Sequence, residues 1–468
     1  MTLSLENVQK EAPPIPEENL LLQIRQQLLE TDKTVIVLDD DPTGTQTVYD
    51  VPVLTEWTPE VITKEFEAHT PLFYILTNSR SLYQDKATDL AHLIGKHILK
   101  AAAHTGRDFI IISRSDSTLR GHYPGEVDAL LDSMDKQGAL KVIAPAFFEG
   151  GRYTYQDIHY VEEAERLIPT GDTPFAQDKT FGYQASDLKE WVEEKTNKVV
   201  KADKVYSFSI DTLRTSTIEQ LVQIIEALPA KTNCILNAIA TYDLQKFALA
   251  ALRSKREILY RTAASFVAAL GGLSSRPLLS VQDIAQHNTH GGLVVVGSYV
   301  PKTTAQLRTL LQIKNITSLE FKVEELLQSN DRSALIHYFI QQIDTNLQEG
   351  KDVVLYTSRQ LVSGDDKASS LKIGNEVSEA LTQIIKLQSI EPRYLIAKGG
   401  ITSSDLATKA LQVKKAMVLG QIIAGVPVWQ LGKESKYPGM RYIIFPGNVG
   451  DDQALSQMVI NLERRHYA

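Results

Sequence analysis

Short runs of apolar and β-branched residues alternate along this chain with longer amphipathic stretches, the pattern of parallel strands joined by crossover helices. In the first half the runs fall at TVIVL (34–38), PLFYILTN (71–78), DFIIISR (108–114), KVIAPAF (141–147), KVYSFSI (204–210) and NCILNA (233–238). Each ends in polar or small residues. Between them lie helical patterns such as DKATDLAHLIGKHILKAAAHTG, closed by a glycine. A spacing of about 30 residues per repeat suits βαβ units and a doubly wound domain.

A long helical pattern then covers AALRSKREILYRTAASFVAALGG (250–272), and the polar stretch LSSRPLLSVQDIAQHNTHGG that follows places a domain boundary near residues 272–290. The alternation restarts with GLVVVGS (292–298), SLEFKV, DVVLYTSR (352–359), YLIAKGG (394–400), a run from Ala416 and RYIIFPGN (441–448), and a helix over DQALSQMVINLERR closes it. The expected fold class is α/β, two α/β domains with mainly parallel sheets. The expected divisions are a partly disordered lead-in over 1–30, a first domain over 31–285 and a second over 286–468.

Composition narrows the partners. A chain of 468 residues exceeds what one core normally supports. With 57 acidic against 49 basic residues the net charge is −8, so no broad surface neutralises phosphates and no nucleic-acid partner is expected. Cys234 is the single cysteine, inside an apolar run, which excludes a disulfide or a zinc cluster. The opening MTLSLENVQKEAPPIPEENL carries Glu and Pro where a signal peptide needs a basic start and an apolar run. The apolar run from Ala416 is broken by Gly and Pro, so no membrane span is expected and the compartment implied is cytoplasmic.

Candidate chemistry gathers at the strand ends, because ligands of open α/β sheets bind at the carboxyl edge. The first strand runs into Asp39, Asp40 and Asp41, followed by Pro42-Thr43-Gly44. Three adjacent carboxylates repel one another, so a metal ion, a cation or a shared proton is expected beside them. The next three strand ends deliver Asn78, Ser79 and Arg80, then Arg114, Asp116, Ser117 and Arg120, then Gly150, Gly151 and Arg152. Carboxylates, hydroxyls and arginines together suit a small, polyhydroxylated, anionic ligand, since an Arg fork holds a carboxylate with two parallel bonds.

The second half is different in character. Ser298 precedes one helical pattern, Gly399, Gly400, Ile401 and Thr402 open a second, and Gly447, Gly450 and Asp451 precede a third. Such glycine-lined helix starts cradle phosphates with backbone N–H groups, although neither GxxxxGK[ST] nor a GxGxxG after a strand occurs. An acid-binding domain and a phosphate-cradling domain are expected to close on each other for phosphoryl transfer, which must exclude water. His104, His122, His159, His287 and His290 show no ligand spacing and read as structural or surface residues.

Together these segments resemble the four-carbon acid sugar kinase family, whose members phosphorylate tetronates with ATP. The resemblance rests on Asp40-Asp41-Pro42-Thr43-Gly44, DSTLRG at Asp116–Gly121, YRTAASF at Tyr260–Phe266, Gly297-Ser298, GGITSSD at Gly399–Asp405 and PGNVGD at Pro446–Asp451. It implies an N-terminal acid-sugar domain and a C-terminal nucleotide domain, with Ser298, the Gly399–Thr402 turn and Gly447 contacting ATP. Phosphoryl transfer then needs a carboxylate to take the hydroxyl proton. Asp40 is the first candidate, Asp116 the second and Asp451 the third. Arg114 and Arg120, with Arg80 and Arg152 behind them, are candidates for the substrate carboxylate. Mg²⁺ is expected to bridge ATP phosphates with few protein ligands, and a homodimer through the first domain is compatible with this reading. The alternative is a non-catalytic nucleotide- or sugar-acid-binding effector on the same fold, disfavoured because the carboxylate and glycine segments are intact; a dinucleotide oxidoreductase lacks its GxGxxG.

Overall fold

The computed structural model describes residues 3–284, 288–359 and 367–463. Its contacts divide the chain into Met1–Ser275 and Arg276–Ala468. The boundary expected between 285 and 286, His287 and the last two residues of the expected terminal helix lie outside the described residues.

The first unit carries β1 (Thr34–Asp39), β2 (Val51–Leu54), β3 (Leu72–Leu76), β4 (Phe109–Arg114), β5 (Leu140–Ala144), β6 (Arg152–Tyr155), β7 (Ile158–Glu163), β8 (Arg166–Pro169), β9 (Tyr206–Phe208), β10 (Asn233–Leu236) and β11 (Ile258–Thr262). Its main sheet is parallel, in the order β2-β3-β1-β4-β11-β5-β10-β9. Every residue of β1 and β3 is buried, as strands covered on both faces require. The register pairs Asp39 with Leu76 on one side and Arg114 on the other, and Arg114 with Thr262. Four strands therefore stop level with one another, and their polar ends meet at one edge. The helix Gln84–Thr105 connects β3 to β4 and stops at Gly106, whose φ of 69° lets the chain turn in the left-handed region.

Three sequence expectations are corrected here. The pattern over 250–272 is not one helix: a helix ends at Arg253, β11 follows, and a second short helix spans Ala264–Leu270. Ser254 is extended (φ −74°, ψ 155°), and the apolar Ile-Leu-Tyr run beyond it slots between β4 and β5, where a strand needs apolar residues on both faces. The first thirty residues contain helices Leu5–Glu11 and Leu20–Thr31; Val8, Leu20 and Ile24 are buried, and Arg25 Nε donates to the Gly272 carbonyl at 2.7 Å. The second of these helices packs on the helix Thr241–Arg253, and Val8 of the first packs with Tyr153, Tyr160 and Leu167, contacts that local composition does not reveal. Finally, β6, β7 and β8 form a small antiparallel sheet that the parallel pattern did not predict.

The second unit carries β12 (Leu293–Val296), β13 (Ile316–Phe321), β14 (Asp352–Thr357), β15 (Leu395–Lys398), β16 (Lys415–Ile423), β17 (Val426–Leu431) and β18 (Arg441–Phe445). β13, β14, β12, β15 and β18 are parallel in that order, and β17 and β16 continue the sheet antiparallel. The run from Ala416 is thus a hairpin turning at Gly425 (φ 81°). Among the described residues no helix is long and apolar enough to cross a membrane. Cys234 is buried, as its apolar run implied.

Candidate functional site

Successive strand residues point to opposite faces, so β1 delivers Asp39 and Asp40 into two different surroundings. Asp40 is buried and gripped by a fork: Arg80 Nη2 lies 2.5 Å from Oδ1 and Arg80 Nε 3.3 Å from Oδ2. Ser115 Oγ donates to Asp40 Oδ2 at 2.5 Å and in turn accepts from Arg261 Nη2 at 2.7 Å. Arg261 also donates to Ser113 Oγ at 2.8 Å and to Glu126 at 3.4 Å, and Ser79 Oγ donates to the other oxygen of Glu126. Gly121 (φ 135°) covers this cluster; a Cβ there would stand 2.5 Å from Ser115 Oγ and 2.6 Å from Arg261 Nη2. Asp39 instead accepts from Arg114 Nη1 at 3.2 Å, while its Oδ2 is buried without a partner among the described residues. A Cβ on Gly44 would run into that carboxylate, which explains a glycine five residues after it.

A more accessible layer surrounds Asp40. Arg80 Nη1 is 3.6 Å from Asp41 and 3.6 Å from Asp116. Asp116 takes two bonds from Arg120, at 2.9 and 3.2 Å, and another from the Thr118 hydroxyl. Arg120 and Arg152 lie over the Phe175 ring, 5.2 and 5.8 Å from its centre, and the buried Nε of Arg152 has no partner among the described residues. Asp41 Oδ1 caps the turn after β1, accepting from Thr43 N at 2.8 Å.

Charge compensation separates these carboxyls. Burial pushes Asp40 up, but the charge and hydrogen bonds of Arg80, aided by Arg261 and Arg114, hold it below the usual carboxylate range. Burial likewise opposes Arg120 and Arg80 at Asp116, and the two arginines prevail by a wide margin. At Asp39 burial wins over Arg114 and raises the carboxyl to about 7. Burial also raises Glu126 and lowers Arg152 and His122.

The structure thus brings Asp40, Asp41, Arg80, Asp116 and Arg120 together, with the Asp39–Arg114 pair beside them. It does not bring in Asn78, whose amide turns to Ser81 Oγ at 3.3 Å, and it buries Ser79 against Glu126. Ser117 presents its carbonyl to the buried His159 at 2.8 Å. Sequence reasoning missed Ser113, Ser115, Glu126 and Arg261. Arg261 lay within the YRTAASF segment but was assigned to a helix; Glu126, inside the helix Gly125–Ser133, gave no signal.

In the second unit the turns after β12, β15 and β18 crowd together. Gly399 (φ 117°) would place a Cβ 2.8 Å from Ser298 Cβ, Gly447 would place one 3.2 Å from Ser298 Oγ, and one on Gly297 would collide with Thr402. Only glycines allow this approach, and it leaves a cradle open to backbone N–H groups. Ile401 stands 58 % exposed beside it. Lys302 Nζ donates to the Gly450 carbonyl at 3.1 Å. Asp451 is exposed and accepts from Gln453 N at 3.0 Å, which makes it a cap of the turn before the last helix. A cavity of about 480 Å³ opens beside it, lined by Leu279, Ile422, Ile423, Asp451, Ala454 and Met458 among others. Among the described residues no group of three His, Cys, Asp or Glu side chains is arranged to hold a metal. The carboxylates of the first unit do not fit Mg²⁺, because Asp39, Asp40 and Asp116 are each taken by an arginine.

Comparison with known proteins places this arrangement in a class. A family model described as a sugar-binding N-terminal domain matches residues 35–270, and one described as a nucleotide-binding C-terminal domain matches residues 293–455. The chain is therefore built from a sugar-binding and a nucleotide-binding domain. It belongs to the four-carbon acid sugar kinase family. A protein from Salmonella typhimurium LT2 is similar in fold, with a TM-score of 0.66 at 17% identity over 92% of this chain and 99% of that one. A Haemophilus influenzae protein of the DUF1537 family gives 0.61 at 15% identity, over 92% and 100%. No curated protein matches the chain.

Proposed function

We propose that this protein is an ATP-dependent kinase that phosphorylates a hydroxyl of a four-carbon sugar acid. The observation that carries the reading is the Asp40–Arg80–Asp116–Arg120 ring at the strand-end edge of the sugar-binding domain. Arginine forks already hold carboxylates there, and an acid substrate offers one more. Arg120 and Arg152, backed by Phe175, keep the planar geometry that a carboxylate needs, and Arg152 has a donor to spare among the described residues. Carboxylates that arginines keep ionised accept hydrogen bonds from the substrate's hydroxyls. Arg114 serves Asp39 rather than the substrate in this reading.

Transfer requires an O–P bond to form between the acceptor hydroxyl and the γ-phosphorus as the bond to ADP breaks, while the hydroxyl proton passes to a base. Asp40 remains our first assignment for that base, because it stays ionised at neutral pH; Asp116 is the second. Asp451 serves as a cap, which favours a nucleotide-side role over proton transfer. ATP fits the glycine-lined turns of Ser298, Gly399 and Gly447, and the half-apolar cavity beside Asp451 suits the base.

The test is a coupled ADP-release assay with Mg-ATP and D-erythronate, L-threonate, D-threonate and 3-oxo-tetronates in turn, on wild type and Asp40→Asn, with products identified by mass. Release that depends on one acid and falls at least a hundredfold in the variant is expected. ATP binding without release on any acid would refute the kinase reading and leave a binding protein.

A further inference from the structure

Two cations sit behind the glycine-lined turns of the second unit, and neither pairs with a carboxylate among the described residues. Lys398, the last residue of β15, is 0 % exposed. Its Nζ donates to the carbonyl of Pro446 at 2.5 Å and of Gly447 at 3.3 Å, and lies 4.0 Å from the centre of the Phe445 ring. Arg359, just beyond β14, donates from Nη2 to the Ser298 carbonyl at 2.5 Å and to Thr304 Oγ1 at 2.9 Å. Its Nε and Nη1 are buried without partners among the described residues, and its guanidinium lies 5.5 Å from the centre of the Tyr299 ring. A buried Lys398 and a half-buried Arg359, held by three carbonyls and the Thr304 hydroxyl, are unfavourable as cations unless something compensates them.

The carbonyls in question belong to the turns that line the cradle. Across a trans peptide, the C=O and the N–H that follows it point in opposite directions. Drawing the carbonyls of Ser298, Pro446 and Gly447 inward to Arg359 and Lys398 turns the N–H groups of Tyr299, Gly447 and Asn448 the other way. None of these three N–H groups donates a hydrogen bond among the described residues. Thr303 Oγ1 reinforces the arrangement by donating to the Gly447 carbonyl at 3.0 Å.

We infer that Lys398 and Arg359 are positioning residues for the phosphate chain of the nucleotide, pinning the turn carbonyls from behind so that three backbone N–H groups face a polyanion. The charge of Arg359, and the charge that Lys398 acquires with a proton as the ligand arrives, then favour a polyphosphate over an uncharged ligand. The inference rests on the proposed ATP site and adds the residues that shape it.

The electrostatics support it. Burial, with Lys302 repelling, lowers Lys398 to about 7, so an arriving phosphate draws a proton onto it. Charged groups on the neighbouring turns and elements include Arg359, Asp405, which pairs with Lys409 at 2.7 Å, Arg441 at the start of β18, and Asp451.

Isothermal titration of the full chain with Mg-ATP at pH 7.5, in buffers of different ionisation enthalpy, tests this on wild type, Lys398→Met, Lys398→Gln and Arg359→Gln. Wild type should take up part of a proton on binding. Lys398→Met should bind at least tenfold more weakly, lose the proton uptake and melt no lower than wild type, since the thioether packs on the Phe445 ring and the loss of an uncompensated buried amine offsets the two carbonyls it leaves. Lys398→Gln should regain part of the affinity without the proton, and Arg359→Gln should weaken binding at least tenfold with proton uptake intact. If Lys398→Met does not fold, the glutamine variants decide the matter. Variants within twofold of a wild type that binds overturn the inference alone; a wild type that binds no nucleotide overturns the ATP site and the inference with it.

Discussion

Replacing Arg80 by Met should expose how the strand-end edge of the sugar-binding domain holds three carboxylates together. In the wild type the Arg80 guanidinium forks onto Asp40 at 2.5 and 3.3 Å and lies 3.6 Å from both Asp41 and Asp116. Asp116 keeps Arg120 in the variant, whereas Asp40 keeps Ser115 alone as a direct partner. Removing one partner of a buried pair costs about 3–5 kcal/mol. The side chain of Arg80 is 19 % exposed against 3 % for Asp40, so the lower end, about 3 kcal/mol, applies. At roughly 2–4 °C per kcal/mol for a domain of this size, the first unit should melt about 6–12 °C lower.

The pH dependence has a definite sign. Asp40 is held below its unfolded pKa, so its stabilising contribution is present above about pH 4 and is lost as the pH falls through the folded value. Without Arg80 burial dominates and the folded pKa rises above the unfolded one. The gap between the two proteins should then be wide at pH 7.5 and shrink on acidification toward pH 5. Calorimetry, which resolves the transitions of separate domains, is the assay. Equal melting at pH 7.5, or a gap that widens on acidification, would refute the reasoning.

Gly399→Ala forces a Cβ to 2.8 Å from Ser298 Cβ at a φ of 117°, and should weaken Mg-ATP binding at least tenfold by equilibrium dialysis without changing the melting of the first unit. Asp39→Asn removes a carboxyl that burial raises to about 7. A raised folded pKa lowers stability as the pH climbs from about 4 to 7, so the variant should show a flatter melting profile than wild type between pH 5 and 8; an unchanged profile would count against the assignment.

Much of this organisation is local and was legible in the chain. A β-branched run ending in Asp39-Asp40-Asp41 reads as a buried strand reaching the edge of a sheet, because burial on both faces needs apolar residues until the loop begins. The glycines at 399 and 447 read as turns open to an anion, and their crowding against Ser298 is what such residues permit. The arginines at 80, 114 and 120 were visible as candidates, but not which carboxylate each would take.

Tertiary structure decided the rest. The segment Ile258–Thr262 satisfies a helical pattern until it is offered the slot between β4 and β5, and there it becomes a strand that carries Arg261 to Ser113, 148 residues away in sequence. Arg114 passes to Asp39 and Arg80 to Asp40 because adjacent strand residues face opposite sides of the sheet. Nothing in its neighbourhood in sequence singled out Lys398; only the return of β18 beside β15 buries it against the carbonyls of Pro446 and Gly447. The sequence by itself determined where strands end and where glycine opens a turn, since these depend on neighbours a few residues away. The pairing of each charge waited for the fold, since burial and counter-charge come from strands far apart along the chain.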